Sequence, residues 1–341
     1  MPDQWNHKVF GVNEDRFEAL ALEIFSFQRQ NCPVYTAYLQ ALKVNPSFVT
    51  SLAQIPFLPI RFFKTHAVQT TLFEPAAIFE SSGTTGSINS RHPVKDLSFY
   101  EESFVKGFEL FYGPVKEWCI IGLLPSYLER KAILPASNDS SLVYMVDKLI
   151  QLSGHPQSGF YLTEYEKLFT LLKELENKKQ KTLLIGVTFA LLDFAEKYSL
   201  PLKFTTVMET GGMKGRREEM IRPEVHAKLK QAFSIEHIHS EYGMTELLSQ
   251  AYSEKEGIFT CPPWMKIMVR DEEDPLLVKE QGTGVLNVID LANIYSCSFI
   301  ATDDVGKLYP DDSHACRPAG FEVLGRIDGS DLRGCSLMVV G

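Results

Sequence analysis

The chain has 341 residues, 45% hydrophobic and 23% charged, a globular composition too apolar for a disordered chain. Its 34 Lys and Arg against 43 Asp and Glu give a net charge of −9. No basic run interleaves with aromatics, so nucleic acid is not an expected partner.

At the N-terminus, Met1 to Trp5 lacks the basic and apolar regions of a secretory signal. Arg16 to Gln28 places Phe17, Leu20, Ala21, Ile24 and Phe27 on one helical stripe. The prolines of Ile55-Pro56-Phe57-Leu58-Pro59-Ile60 force extended backbone instead. A short apolar run, Ala76 to Phe79, then enters a Ser/Gly/Thr loop.

The middle third alternates. Trp118 to Leu124 reads as a buried strand, followed by a helix from Ser141. Thr163 and Glu166 have the spacing of a capping box for the next helix. Strand Thr182 to Val187, helix Phe189 to Tyr198, strand Thr205 to Glu209, helices Arg217 to Phe233 and strand Ser234 to His239 complete the series. Such alternation predicts parallel strands with right-handed crossovers. After Gly257 short β-type runs predict an antiparallel meander or small barrel. Thr182 to Leu192, the longest uncharged apolar stretch, is shorter than the roughly 20 residues that span a bilayer. Six scattered cysteines with no CxxC pair argue against structural zinc or a disulfide framework. A soluble, cytoplasmic protein is expected.

Two segments carry chemistry. Ser81-Ser82-Gly83-Thr84-Thr85-Gly86-Ser87 offers backbone N–H groups and hydroxyls with little bulk, which suits an anion nest for a polyphosphate. It lacks the Gly-Lys-Ser/Thr of a Walker loop, and a polar surface turn is the competing reading. Glu241-Tyr242-Gly243-Met244-Thr245-Glu246 follows the last predicted parallel strand, where crevices bind ligands. Tyr242 offers a flat face to an adenine ring, Gly243 close backbone approach, and Thr245 a hydroxyl. Glu246 is a hard oxygen ligand suited to Mg²⁺ on phosphate oxygens. The competing reading is a polar helix start capped by Thr245.

Together these segments resemble the adenylate-forming superfamily of acyl-CoA synthetases, adenylation domains and beetle luciferases. The resemblance extends to Ile300-Ala301-Thr302-Asp303-Asp304, whose last Asp would hold the ribose hydroxyls. It also extends to the hinge-like Gly325-Arg326-Ile327-Asp328, whose Arg would reach the ribose. Asp303 stands where that family has Gly, and Ile300 where it has an aromatic. Three further segments resemble the acyl-protein synthetases of bacterial luminescence: Ile55 to His66, Leu124 to Arg130, and Arg333-Gly334-Cys335-Ser336-Leu337.

That resemblance implies an α/β adenylate-forming core with a β-rich subdomain and an absent or vestigial C-terminal lid. It implies residues 1–75 as a helical part, 76–256 as the α/β core, 257–325 as the β-rich subdomain and 326–341 as a hinge remnant with a cysteine-bearing tail. The implied catalytic residues are Thr85, Glu246 and Cys335, the acyl acceptor. The implied ATP site comprises Ser81, Ser82, Gly83, Thr84, Thr85, Gly86, Gly211, Gly212, Glu241, Tyr242, Gly243, Met244, Thr245, Asp304 and Arg326, with Mg²⁺ on Glu246. The substrate would be a carboxylic, fatty acid and the partner an acyl-accepting reductase. The superfamily's lid lysine has no counterpart in a sequence ending thirteen residues after Asp328, leaving Lys64, Lys214, a partner or Mg²⁺ to take its place. Two other readings are a compact acid–CoA ligase and a non-catalytic ATP-binding subunit.

Overall fold

The computed structural model describes residues 4–81, 88–124, 140–211, 220–310 and 320–327. They cluster into two compact units. One comprises Met1–Gly107, Gly243–Ala251 and Thr260–Ser330; the other includes Phe108–Tyr242 and Tyr252–Phe259. Both units are therefore discontinuous in sequence, unlike the consecutive segments with boundaries at residues 75, 256 and 325.

In the first unit, helices α1 (Gln4–Phe10), α2 (Glu14–Asn31) and α3 (Pro33–Ala41) precede the short strand β1 (Leu58–Pro59) and helix α4 (Phe62–Thr65). The α2 stripe of Phe17, Leu20, Ala21 and Ile24 is buried, as its spacing predicts. Strands β2 (Ala77–Glu80) and β3 (Arg91–Val94) form an antiparallel pair, and helix α5 (Leu97–Tyr112) follows. The division between the units falls in α5. Its aromatics pack as core: Tyr100 meets Phe104 and Phe79 edge-on at 4.9 and 5.3 Å.

The second unit holds strand β4 (Cys119–Leu123), helix α6 (Ser141–Ser153), strand β5 (Gly159–Phe160), helix α7 (Tyr165–Asn177), strand β6 (Thr182–Val187), helix α8 (Thr188–Lys197), strand β7 (Thr205–Thr210), helix α9 (Arg222–Phe233) and strands β8 (His239–Tyr242), β9 (Ala251–Ser253) and β10 (Ile258–Phe259). The sheet order is β5-β4-β6-β7-β8-β9, and each pair from β5 to β8 is parallel. The predicted alternation of buried strands and helices is thus realised.

Two local expectations are corrected. Helix α7 starts at Tyr165 with Glu164 as its cap residue, and no side chain bonds the cap. The Glu164 carboxylate accepts the N–H groups of Leu162 and Thr163 instead, so the Thr163–Glu166 box does not form. The last parallel strand runs from His239 to Tyr242 rather than from Ser234 to His239. Ser234 sits in the left-handed region at φ 52° and ends α9.

The meander belongs to the first unit: strands β11 (Met265–Arg270), β12 (Val278–Lys279), β13 (Gly282–Asp290), β14 (Phe299–Tyr309) and β15 (Gly320–Arg326). Its order is β15-β14-β13-β11-β12, all antiparallel, with β1 added parallel to β14. Asp271 to Asp274 is a turn in which Asp271 accepts the N–H groups of Glu273 and Asp274. Among the described residues no helix is long and apolar enough to cross a membrane.

Candidate active site

The predicted phosphate loop is the connection between β2 and β3. Its base is closed by Ser81, whose N–H donates to the Ser90 carbonyl at 3.0 Å and whose Oγ accepts the Ser90 N–H at 2.9 Å. Ser82, Gly83, Thr84, Thr85, Gly86 and Ser87 lie outside the described residues.

His92, directly opposite Phe79 in this pair, is 1% exposed. Its Nδ1 donates to the Thr245 carbonyl at 2.8 Å. Burial pushes the His92 pKa down, against the raising effects of that bond and of the nearby Glu246 charge. The strand pair that carries the loop is thereby tied to the Thr245-Glu246 segment.

Gly243 to Gln250 forms no helix; a turn closes where the Leu247 N–H meets the Met244 carbonyl at 3.0 Å. The helix-start reading of this motif is therefore replaced. Glu246 is fully buried, and its backbone carbonyl accepts from Asn293 Nδ2 at 2.7 Å. Beyond it, the buried Asp290 carboxylate accepts the N–H groups of Leu248 and Ser249 at 2.8 and 3.0 Å, the Ser249 hydroxyl at 2.6 Å and the Ala292 N–H at 3.1 Å. Burial raises the Asp290 pKa to about 6 despite these donors. Ser249 also meets Ser103, which accepts the Trp264 indole N–H at 3.0 Å.

Asp304 and Arg326, the expected ribose pair, lie opposite each other on β14 and β15. Arg326 Nε is 3.0 Å from Asp304 Oδ1, and its Nη2 is 3.7 Å from Asp303. Asp303 also pairs with Arg61 at 3.3 Å. The Gly-to-Asp departure at position 303 thus brings a second carboxylate to the same guanidinium. Lys64, half-buried, is in α4.

In the second unit, Gly211, Glu241 and Tyr242 sit at the carboxyl ends of the adjacent parallel strands β7 and β8. Gly211 adopts φ 64°, which favours glycine, and its carbonyl accepts the Thr188 hydroxyl. Glu241 and Tyr242 lie within β8, not after it. Glu241 is buried beside Thr210, whose hydroxyl donates to it. Burial raises its pKa to about 7, opposed by that bond and assisted by the Glu209 charge. Glu209 goes the other way, to about 2. Burial would raise it, but Arg222 at 3.0 Å and His226 at 3.6 Å outweigh that. The Tyr242 ring is 2% exposed and packs 5.8 Å from Phe259, over which the Arg222 guanidinium lies at 5.1 Å. His239 shares a bond of 3.3 Å with the Tyr112 hydroxyl and is driven down to about 4, mainly by burial. His239 is on the strand and His237 is not.

The structure thus brings Ser81, Thr245 and Glu246 into one connected set through His92, and places Asp304 with Arg326. Gly212, Lys214 and Cys335 lie outside the described residues. His92, Asp290 and Asn293 were not anticipated, because each is an isolated polar residue with no neighbouring motif. A His one strand-length past a Gly/Ser loop was the one available signal.

Residues 11–340 match the family described as acyl-protein synthetase, LuxE. The chain belongs to that family. No curated protein matches this LuxE-family chain by sequence. Its fold is that of adenylate-forming ligases. The structure of an open conformation of 2-hydroxyisobutyryl-CoA ligase, in complex with 2-HIB-AMP and CoA, is similar at TM-score 0.65 and 12% identity, covering 93% of this chain and 72% of the ligase. ATP-bound MatB from Rhodopseudomonas palustris is similar at TM-score 0.53 and 16% identity, covering 75% of this chain and 50% of MatB. Family membership makes the LuxE-family chain an adenylate-forming ligase.

Proposed function

We propose that this chain activates a fatty acid with ATP and passes the acyl group to Cys335. The observation that carries the reading is the family match over residues 11–340, which includes both candidate motifs and the cysteine. ATP supports it from the neighbours, since one MatB structure holds ATP and the hydroxyisobutyryl ligase holds an acyl-adenylate.

In the proposed reaction a carboxylate oxygen of the acid attacks the α-phosphorus, and the bond to the bridging oxygen breaks to release pyrophosphate. The loop from Ser81 to Gly86 holds the phosphates with backbone N–H groups and the Thr84 and Thr85 hydroxyls. Asp304 and Arg326 hold the ribose, and Tyr242 meets the adenine. The second step has the Cys335 thiolate attack the acyl carbonyl carbon, forming a thioester and expelling AMP. An acyl-accepting partner then removes the acyl group.

Among the described residues no three His, Cys, Asp or Glu side chains form a metal cluster. Mg²⁺ bound through substrate phosphates needs only one or two protein carboxylates, so a single buried Glu246 fits it. The ion would neutralise charge developing on the phosphate oxygens. Glu246 is the residue that would hold it, and its fixed backbone sets where the carboxylate points.

The test has two arms. ATP–pyrophosphate exchange across a panel of carboxylic acids should respond to fatty acids, and no exchange with any acid would overturn the activation step. Labelled fatty acid with ATP should leave hydroxylamine-sensitive label on the wild type and none on Cys335→Ala, while exchange persists. CoA in the hydroxyisobutyryl ligase structure favours a second reading, acid–CoA ligation. Free acyl-CoA formed on adding CoA, with no protein-bound label, would select it.

A further inference from the structure

We propose that His92 is a positioning residue for Glu246, setting the site's metal affinity through the Thr245 carbonyl. The inference rests on the reading of Glu246 as the Mg²⁺ residue. Four hydrogen bonds from three side chains hold the backbone around Glu246. His92 on β3 takes the Thr245 carbonyl, Asn293 takes the Glu246 carbonyl, and Asp290 at the end of β13 takes the N–H groups of Leu248 and Ser249. Asn293 and Asp290 lie within three residues of each other and act from one side of the sequence. His92 comes from elsewhere, the antiparallel pair of β2 and β3.

The geometry restricts what His92 can do. A carbonyl accepts only, so Nδ1 carries the proton. The ring is held edge-on by Phe63 at 5.6 Å and is buried, so it has little freedom to follow a displaced Thr245. Mg²⁺ would be held by Glu246, and any shift of the Thr245 carbonyl would carry the adjoining Glu246 backbone with it. The bond from His92 to Thr245 fixes that carbonyl with one short link. Outer-shell partners of this kind change metal affinity by about 10–100-fold when removed.

The test measures Mn²⁺ binding by electron paramagnetic resonance in full-length protein saturated with the β,γ-methylene analogue of ATP. His92→Phe keeps a ring against Phe63 and removes the donor. Affinity for Mn²⁺ should fall about tenfold, while AMP affinity in metal-free buffer stays within about twofold. His92→Asn places an amide N–H near the Nδ1 position and should restore Mn²⁺ affinity to within about twofold of wild type. His92→Gln carries the donor one bond further out and should behave like His92→Phe, which covers the case in which the Phe variant does not fold. Wild-type Mn²⁺ affinity in His92→Phe or His92→Gln, or a loss in His92→Asn as large as in His92→Gln, would overturn the inference. Glu246→Gln is the separate control: unchanged Mn²⁺ affinity there removes the metal reading itself, whatever His92 does.

Discussion

Arg326 and Asp304 form an ion pair whose side chains are only 5% and 7% exposed, joining β14 to β15 at their paired ends. Removing one partner from a buried pair leaves an uncompensated charge and costs about 3–5 kcal/mol, whereas replacing both by apolar groups is often close to neutral. Arg326→Met should therefore lower the urea midpoint sharply, and Arg326→Met with Asp304→Leu should recover most of it. Because both are proposed to hold the ribose, the double variant should remain weak in ATP binding despite its stability. ATP affinity equal to wild type in a stable double variant would remove the ribose role.

The phosphate loop can be tested without changing its shape. Thr84→Val with Thr85→Val removes two hydroxyl donors, and hydrogen bonds to charged groups contribute about 1.5–3 kcal/mol each. Pyrophosphate exchange should drop at least about tenfold in a variant with wild-type circular dichroism. Unaltered exchange kinetics would return the loop to a polar surface turn.

Glu241 makes stability depend on pH. Its pKa rises from 4.5 to about 7 on burial, so between these values the folded chain holds a proton that the unfolded chain has lost. Stability then falls as pH rises through this window and levels off above it, by roughly 3 kcal/mol at about 1.4 kcal/mol per pH unit. Glu241→Gln should flatten that part of the profile, gaining over wild type at pH 8 and matching it near pH 4. Parallel profiles for the two proteins across pH 4 to 8 would contradict the assignment.

Gly306 on β14 has no room for a methyl group. A Cβ there would lie 2.5 Å from the Glu322 carbonyl oxygen on β15 and 2.7 Å from a Leu286 methyl. The backbone contact cannot relax by a rotamer change, so Gly306→Ala should cost on the order of 1–3 kcal/mol as overpacking. Thermal unfolding checks this; a melting temperature within error of wild type would mean that β15 shifts freely.

The parallel series was legible because buried strands such as Thr182–Val187 are short, almost wholly apolar and uncharged runs that alternate with helical periodicity. The placement of Glu241 and Tyr242 was not. The apolar signal of Ser234 to His239 is weak, and tertiary pairing of Thr210 with Glu241 decides where the strand lies. The capping box failed because Glu164 offers a competing acceptor to Leu162 and Thr163, and sequence spacing does not rank two acceptors one residue apart. In the candidate site, the two motifs announced themselves by composition. The bonds that join them did not, since His92 and Thr245 are 153 positions apart and each is an ordinary residue in its own neighbourhood.

The pairing of β1 with β14 sets an order of assembly on the ribosome. Leu58 and Pro59 find their strand partners only at Ile300 and Ala301. Gln28, wholly buried, gives its amide to the carbonyls of Asn293 and Ile294 and takes the Ser298 N–H. At about 5–20 residues per second, the first segment emerges roughly 10–50 s before these partners exist. The intervening Phe108–Tyr242 stretch contains β4 to β8 and their helices, and can close its parallel sheet meanwhile. Nascent chains arrested near residue 260 should therefore carry a protease-resistant middle and a still-cleavable N-terminal segment, an inversion of the usual N-terminal-first sequence of folding.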